Sequence, residues 1–242
     1  MFRIASVKSS QMISKKNINK NKNECDIKTT FIILCAKKSN KRGYKNIPLT
    51  LINEYETLID RQINIINGNY KDSEIIIISG FEHERLIDHI LLKGYKNIRI
   101  AENQNYKHTN TLDGWRLGLN LCLNQNIYII HGDRIFDDSC ISQKNSKNTH
   151  TIIHDINKNN YNLGLLFDNE NFINMSYGLP NVWSEIFFIS QKDFDITKQL
   201  INEYKKRKIY NIESFINELS KSIQISVISK KQKDIKTLKE IK

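Results

Sequence analysis

From Thr30 onward, short runs rich in β-branched and aromatic residues alternate with stretches of helical period, and this alternation leaves few architectures open. The first run, Phe31-Ile32-Ile33-Leu34-Cys35-Ala36, is followed by a basic loop over 37–46 and then by 55–66, where Leu58, Ile59, Ile63 and Ile66 recur at helical spacing. Glu74 to Ser79 forms the second run. It stops at Gly80 and leads into a helix carrying Leu86, Ile87, Ile90 and Leu91. The third run, Asn97 to Ala101, precedes 109–124, where Leu112, Trp115, Leu119 and Cys122 make one helical stripe that reads as core packing. The fourth, Ile127-Tyr128-Ile129-Ile130-His131, ends at Gly132-Asp133. Runs that are apolar throughout, rather than alternating, belong to parallel strands covered on both faces, so the pattern predicts βαβ units.

After Asn145 the pattern changes. Segments 149–154, 162–168, 171–176 and 182–190 read as consecutive strands joined by Asn, Gly and Pro turns, followed by helices over 192–208 and 211–221, a strand over 223–228 and a Lys-rich helix from 231. The expected fold is therefore α/β, with a mostly parallel central sheet flanked by helices and an antiparallel or mixed extension after about residue 145. One domain spans 29–242. Residues 1–28 lack a core-forming pattern and are expected to be a basic, disordered tail.

The net charge of +11 suggests a nucleic-acid surface until its distribution is read. Residues 1–30 hold seven Lys/Arg against two acids, and 201–242 hold eleven against five, which leaves 31–200 neutral. Nucleic acid is thus expected only as weak binding by the basic ends. No apolar run approaches the roughly 20 residues of a membrane helix, and the N-terminal stretch lacks the apolar region of a secretory signal. The four cysteines show no paired metal or redox spacing, so a reducing, cytoplasmic setting is expected. Nothing in the sequence sets an oligomeric state.

Phosphate-loop, dinucleotide-binding, nucleophile-elbow and HExxH patterns are all missing. His150 and His154 share a strand with no third ligand nearby and read as ordinary histidines. Two features carry chemistry. Asp133 sits where a buried parallel strand emerges, the edge at which open α/β sheets bind ligands, and a carboxylate there suits Mg²⁺ against phosphate oxygens. It reads equally as a cap on the next element, since Asp137 and Asp138 follow. The loop Lys37-Lys38-Ser39-Asn40-Lys41-Arg42-Gly43 places four cations directly after the first strand, either to clamp a triphosphate or as a solvated loop. Tyr106 and Trp183-Ser184-Glu185 read as pocket lining or as core.

The order of these features resembles the nucleotidyltransferases of the GT-A-like α/β fold. Glu102-Asn103, Tyr106 and Thr109-Asn110, a helix, and then Gly132-Asp133 with Ile135-Phe136-Asp137 are similar to the "EN..Y..TN" and "GD" blocks of that family's phosphocholine and MobA-like branches. The resemblance covers about residues 30–240. It implies joining of a nucleoside triphosphate to a small phosphorylated acceptor, a sugar phosphate or phosphocholine, with release of pyrophosphate and dependence on Mg²⁺. By that resemblance Asp133 is the metal ligand and is catalytic together with Lys41 and Arg42. Ala36, Lys37, Lys38, Gly80 and Asn110 attend the nucleotide, and Asn103, Tyr106, Trp183 and Glu185 the acceptor.

The chain departs from the family at three places. Its first loop, Cys35 to Lys41, has no glycine, Leu49 stands where a lysine follows the proline, and Ile225 to Ser229 offers serines where a second metal carboxylate is expected. Two further readings follow: a catalytically silent binding or assembly subunit, and a GT-A glycosyltransferase that uses Asp133, Asp137 and Asp138 as its metal cluster.

Overall fold

A computed structural model describes residues 4–6, 28–38, 46–142, 147–154, 162–208, 211–231 and 234–237. Its parallel half comprises β2 (Thr29–Cys35), α1 (Leu58–Asn69), β3 (Glu74–Ser79), α2 (His83–Lys93), β4 (Ile98–Glu102), α3 (Thr111–Leu121) and β5 (Asn126–His131). Next come β6 (Arg134–Phe136), β7 (His150–His154), β8 (Leu163–Asp168), β9 (Asn171–Tyr177), β10 (Asn181–Ile189), α4 (Phe194–Arg207), α5 (Ile212–Leu219), β11 (Ser226–Lys230) and β12 (Ile235–Thr237). With β1 (Ile4–Ser6), ten strands join one mixed sheet in the order β1-β4-β3-β2-β5-β10-β7-β11-β9-β8.

Alternation along the buried strands builds two cores. Ile32, Ile76, Ile127 and Ile129 face Trp115, Leu119, Ile201 and Phe215 on the side covered by α3, α4 and α5. Phe31, Ile33, Ile75, Ile77, Tyr128 and Ile130 face Ile59, Ile63, Leu86 and Ile90 on the side of α1 and α2. Strands β2 to β5 are parallel to one another, while β10 runs antiparallel between β5 and β7. The α/β class and the mixed extension expected from the sequence are thus the observed architecture.

Helix starts are set by side chains. Thr57 and Asp60 form a reciprocal capping box at α1, and Asn110 with Asp113 forms another at α3, so both helices begin later than periodicity alone predicts. Asp60 is also the hub of a buried network. It accepts from Tyr95 Oη at 2.8 Å, lies 2.8 Å from His89 Nε2 and 3.3 Å from Lys93 Nζ, and receives the Thr57 backbone N–H at 3.1 Å. Burial pushes this carboxyl up, but the hydrogen bonds from His89, Thr57 and Tyr95 pull it further down, to about 2.

Three features differ from the sequence expectation. Residues from 231 do not make a Lys-rich helix over their described part: Ile235–Thr237 pairs antiparallel with β6, because Ile235 is buried against the α1 and α2 core and the Asp137 N–H binds the Asp234 carbonyl. Burying that isoleucine outweighs lysine's helix propensity. The last sheet strand is Ser226–Lys230, slightly later than expected. Within the stretch expected to be a tail, Ile4–Ser6 lies antiparallel along β4.

Candidate active site

Strands β3 and β4 lie on one side of β2 while β5 lies on the other, so the order of the strands reverses between β2 and β5. Such a switch leaves a crevice outside the carboxyl ends of the strands, here where Ala36 and Asp133 leave the sheet. Two glycines let the backbones meet at this edge. The Gly132 N–H binds the Leu34 carbonyl at 2.9 Å, and a Cβ on Gly132 would lie 2.7 Å from Cys35 Sγ. The Phe81 N–H binds the Ala36 carbonyl at 3.0 Å, and a Cβ on Gly80 would lie 2.7 Å from both that oxygen and Tyr106 Cβ. Gly80 and Ala36 therefore shape the floor of the crevice through their backbones.

Lys37 Nζ lies 3.4 Å from Thr111 Oγ1 at the start of α3, and Lys38 Nζ sits 5.2 Å above the Phe81 ring. Lys41 and Arg42 fall outside the described residues. The loop after β4 is braced from within. Asn103 donates to Thr109 Oγ1 at 2.7 Å and accepts the Asn105 N–H at 3.2 Å. Tyr106 meets Phe81 edge-on at 6.3 Å, and Asn110 Oδ1 caps α3 by accepting from Leu112 and Asp113. The amide oxygens of Asn103 and Asn110, expected at the acceptor and the nucleotide, are thus committed to holding this loop.

On the other side of the switch, His131, Asp133 and Glu185 bring one ligand atom each to within 4.8 Å of one another, the one such group among the described residues. Glu185 lies opposite the end of β5, where β10 slips register against β7 between Trp183 and Phe187, and it adopts a left-handed φ of 58°. A non-glycine residue in that region stores of order 1 kcal/mol or more, so the surrounding contacts must hold it there. His131 Nδ1 lies 2.7 Å from Glu185 Oε2, and the Arg134 guanidinium reaches the same oxygen at 2.5 Å and Asp133 Oδ1 at 3.5 Å. Burial raises the Glu185 carboxyl, but the charges of His131 and Arg134 and their hydrogen bonds outweigh it and hold the group ionised, well below the usual carboxylate range. Asp133 Oδ1 and His131 Nε2 are shielded from solvent and have no hydrogen-bond partner among the described residues.

The donor set fits a hard divalent cation in part. Two carboxylates converge and one oxygen lacks a hydrogen-bond partner, as such an ion requires, whereas the imidazole facing Glu185 already has its Nδ1 engaged. Sequence reasoning placed Asp133 here. It assigned Glu185 to the acceptor and overlooked His131 and Arg134, although both lie within two residues of Asp133 and at the end of the same apolar run.

The sequence-derived acceptor set is not gathered in one place. Asn103 follows β4 and Glu185 lies on β10, four strand spacings away, or about 19 Å at ~4.8 Å each. Trp183 is only 3% exposed and donates its indole N–H to Thr151 Oγ1 at 2.8 Å, because strand alternation turns it into the core; only its ring edge approaches His131. Nor does an Asp133, Asp137 and Asp138 cluster form. Asp137 pairs with Arg61 of α1 at 3.7 Å, and both it and Asp138 border a cleft beside that helix. His150 and His154 are buried, the first stacked on Phe188 and the second 3.0 Å from Ser184 Oγ, which agrees with their reading as ordinary histidines.

No protein-family model and no curated protein sequence matches the chain. Solved structures do. The chain is similar to the CTP:phosphocholine cytidylyltransferase of Streptococcus pneumoniae at a TM-score of 0.72, with 14% identity over 88% of this chain and 94% of that one. It is similar to a Bacillus anthracis protein described as a glucose-1-phosphate thymidylyltransferase at a TM-score of 0.68, with 17% identity over 84% and 87% of the two chains. The inositol-1-phosphate CTP transferase of T. maritima gives 0.63, with 10% identity over 85% and 86%. The fold is therefore the GT-A-like α/β fold of nucleotidyltransferases.

Proposed function

We propose that this protein is a Mg²⁺-dependent nucleotidyltransferase that joins a nucleoside triphosphate to a small phosphorylated acceptor. The observation that carries the reading is the pair of carboxylates, Asp133 and Glu185, at the switch between β2 and β5, with the Lys37-Lys38 segment leaving the neighbouring strand. An acceptor phosphate oxygen attacks the α-phosphorus, a new P–O bond forms, and the bond to the β-phosphate oxygen breaks to release pyrophosphate. Catalysis of this kind is mainly positioning and charge neutralisation. Asp133 and Glu185 would hold the metal, which when bound supplies countercharge to the phosphates. Lys37 and Lys38 add cationic charge just after β2, Lys41 and Arg42 follow them in sequence outside the described residues, and the braced Asn103 to Asn110 loop frames the nucleotide side. Glu185 is reassigned from the acceptor to the metal side, which gives the second carboxylate missing from the last strand.

The three described cysteines are unpaired, which suits a reducing cytoplasm, and no described helix is long and apolar enough to cross a membrane.

One observation favours a second reading, a catalytically silent binding subunit. Arg134 already bridges Asp133 and Glu185, so its guanidinium competes with any metal ion for both carboxylates.

The test is pyrophosphate release in the presence of Mg²⁺ from each of the four nucleoside triphosphates, supplied with sugar 1-phosphates or phosphocholine. Release is expected for at least one pairing, and Asp133→Asn should lower it by about 10²- to 10³-fold, the usual scale for removing an electrostatic catalyst. Silence across every pairing would leave the binding-subunit reading in its place.

A further inference from the structure

A cavity opens on the α3 and α4 side of the same sheet edge. It holds about 250 Å³ and is bounded by Asn103, Gln104, Asp113, Arg116 and Lys205. Its charges are unequal. Asp113 is the single carboxylate, and its Oδ2 accepts the Asn110 N–H of the α3 cap at 3.3 Å. Its Oδ1 is approached by two cations, Lys205 Nζ at 3.6 Å and Arg116 at 4.0 Å, both beyond good hydrogen-bonding distance. Arg116 Nε is shielded from solvent and has no hydrogen-bond partner among the described residues. Lys205 lies in the last turn of α4, and with Arg116 it sets two cations against the single carboxylate of the cavity lining.

We propose that this cavity is a binding site for a small phosphate anion, inorganic phosphate or a compact phosphate monoester. A tetrahedral dianion seated between Arg116 and Lys205 accepts charge-assisted hydrogen bonds from both. The volume lies below the roughly 300–1,000 Å³ of pockets that take drug-sized ligands, which suits a compact anion better than a nucleoside triphosphate. The wall is already ordered, since the Asn103 contacts to Thr109 and Asn105 fix the loop, so little loop freedom is lost on binding. The site is separate from the carboxylate pair. Asn103 follows β4 and Asp133 follows β5, three strand spacings or about 14 Å apart. The readout is binding, so the site stands or falls independently of nucleotidyl transfer.

The test is calorimetric titration of the full chain with inorganic phosphate and, separately, with glycerol phosphate, at constant ionic strength set by chloride. One saturable site is expected. It should weaken about tenfold or more in Arg116→Gln and in Lys205→Gln, the scale of one lost charge-assisted hydrogen bond, and persist in Asp133→Asn. Lys205 is half exposed, so its variant keeps the test valid even where Arg116→Gln unfolds. No saturable binding, equal affinity in the wild type and the Lys205 variant, or loss of binding in Asp133→Asn would each overturn the assignment.

Discussion

Asp60 and Asp133 are both partly enclosed carboxylates beside cations, yet their surroundings differ in kind. Asp60, at the start of α1, is almost wholly buried and meets His89, Tyr95, Lys93 and the Thr57 backbone. Asp133, beyond the end of β5, is 37% exposed, keeps one oxygen without a hydrogen bond, and shares its nearest cation with a strained Glu185. A carboxylate whose partners are all supplied by the protein stabilises the fold. One left incomplete at a strand switch point, among groups that would repel one another without Arg134, is what the proposed metal site requires.

Truncation separates the two most sharply. Asp60→Ala strands four donors in a buried site and should lower unfolding stability by about 3 kcal/mol. Asp133→Ala should change it by no more than about 1 kcal/mol, since Arg134 keeps its Glu185 partner. Urea unfolding of both variants measures this, and equal losses would erase the distinction.

Acid titration sharpens the contrast with a third buried group. His150 donates from Nδ1 to the Asn148 carbonyl while Nε2 has no partner among the described residues, and burial depresses its pKa to about 4. Its unfolded value is near 6.5, so between those limits the unfolded chain binds the extra proton. The stability that depends on neutral His150 is complete above about pH 6.5. It is lost as pH falls toward 4, at up to about 1.4 kcal/mol per pH unit. Asp60 acts later in the same direction. Its depressed pKa gives stability that is present above about pH 4 and lost on approach to 2. His150→Gln should flatten the stability profile between pH 6.5 and 4 while leaving the lower segment intact; an unchanged upper segment would show that burial of His150 does not set that slope.

The parallel half was legible because its evidence is local. Runs such as Glu74 to Ser79 are apolar throughout and the helices between them keep their period, so each strand of the β2 to β5 block falls within a residue or two of its expected place. The strand at Ile235 was not legible, because its reason is a single isoleucine buried against residues far away in sequence, amid lysines that suit a helix. Asp133 was legible as a carboxylate at a strand end. Glu185 was visible as a candidate, but its nearness to Asp133 was not, since only the register slip in β10 and its antiparallel placement beside β5 bring its carboxylate there. Periodicity shows which residues face a core. It does not show which loop ends converge, and that is why Trp183 read as either pocket lining or core and is found in the core.

The central claim is that the crevice at Asp133 and Glu185 takes a nucleoside triphosphate with a divalent cation. Thermal unfolding with and without Mg²⁺ and each nucleotide tests it most directly, because a ligand at 100 times its Kd adds about 2.7 kcal/mol to the folded state. The account predicts a nucleotide- and Mg²⁺-dependent rise in Tm for the wild type that is absent in Asp133→Asn. A rise of equal size in both proteins, or none in either, would contradict it.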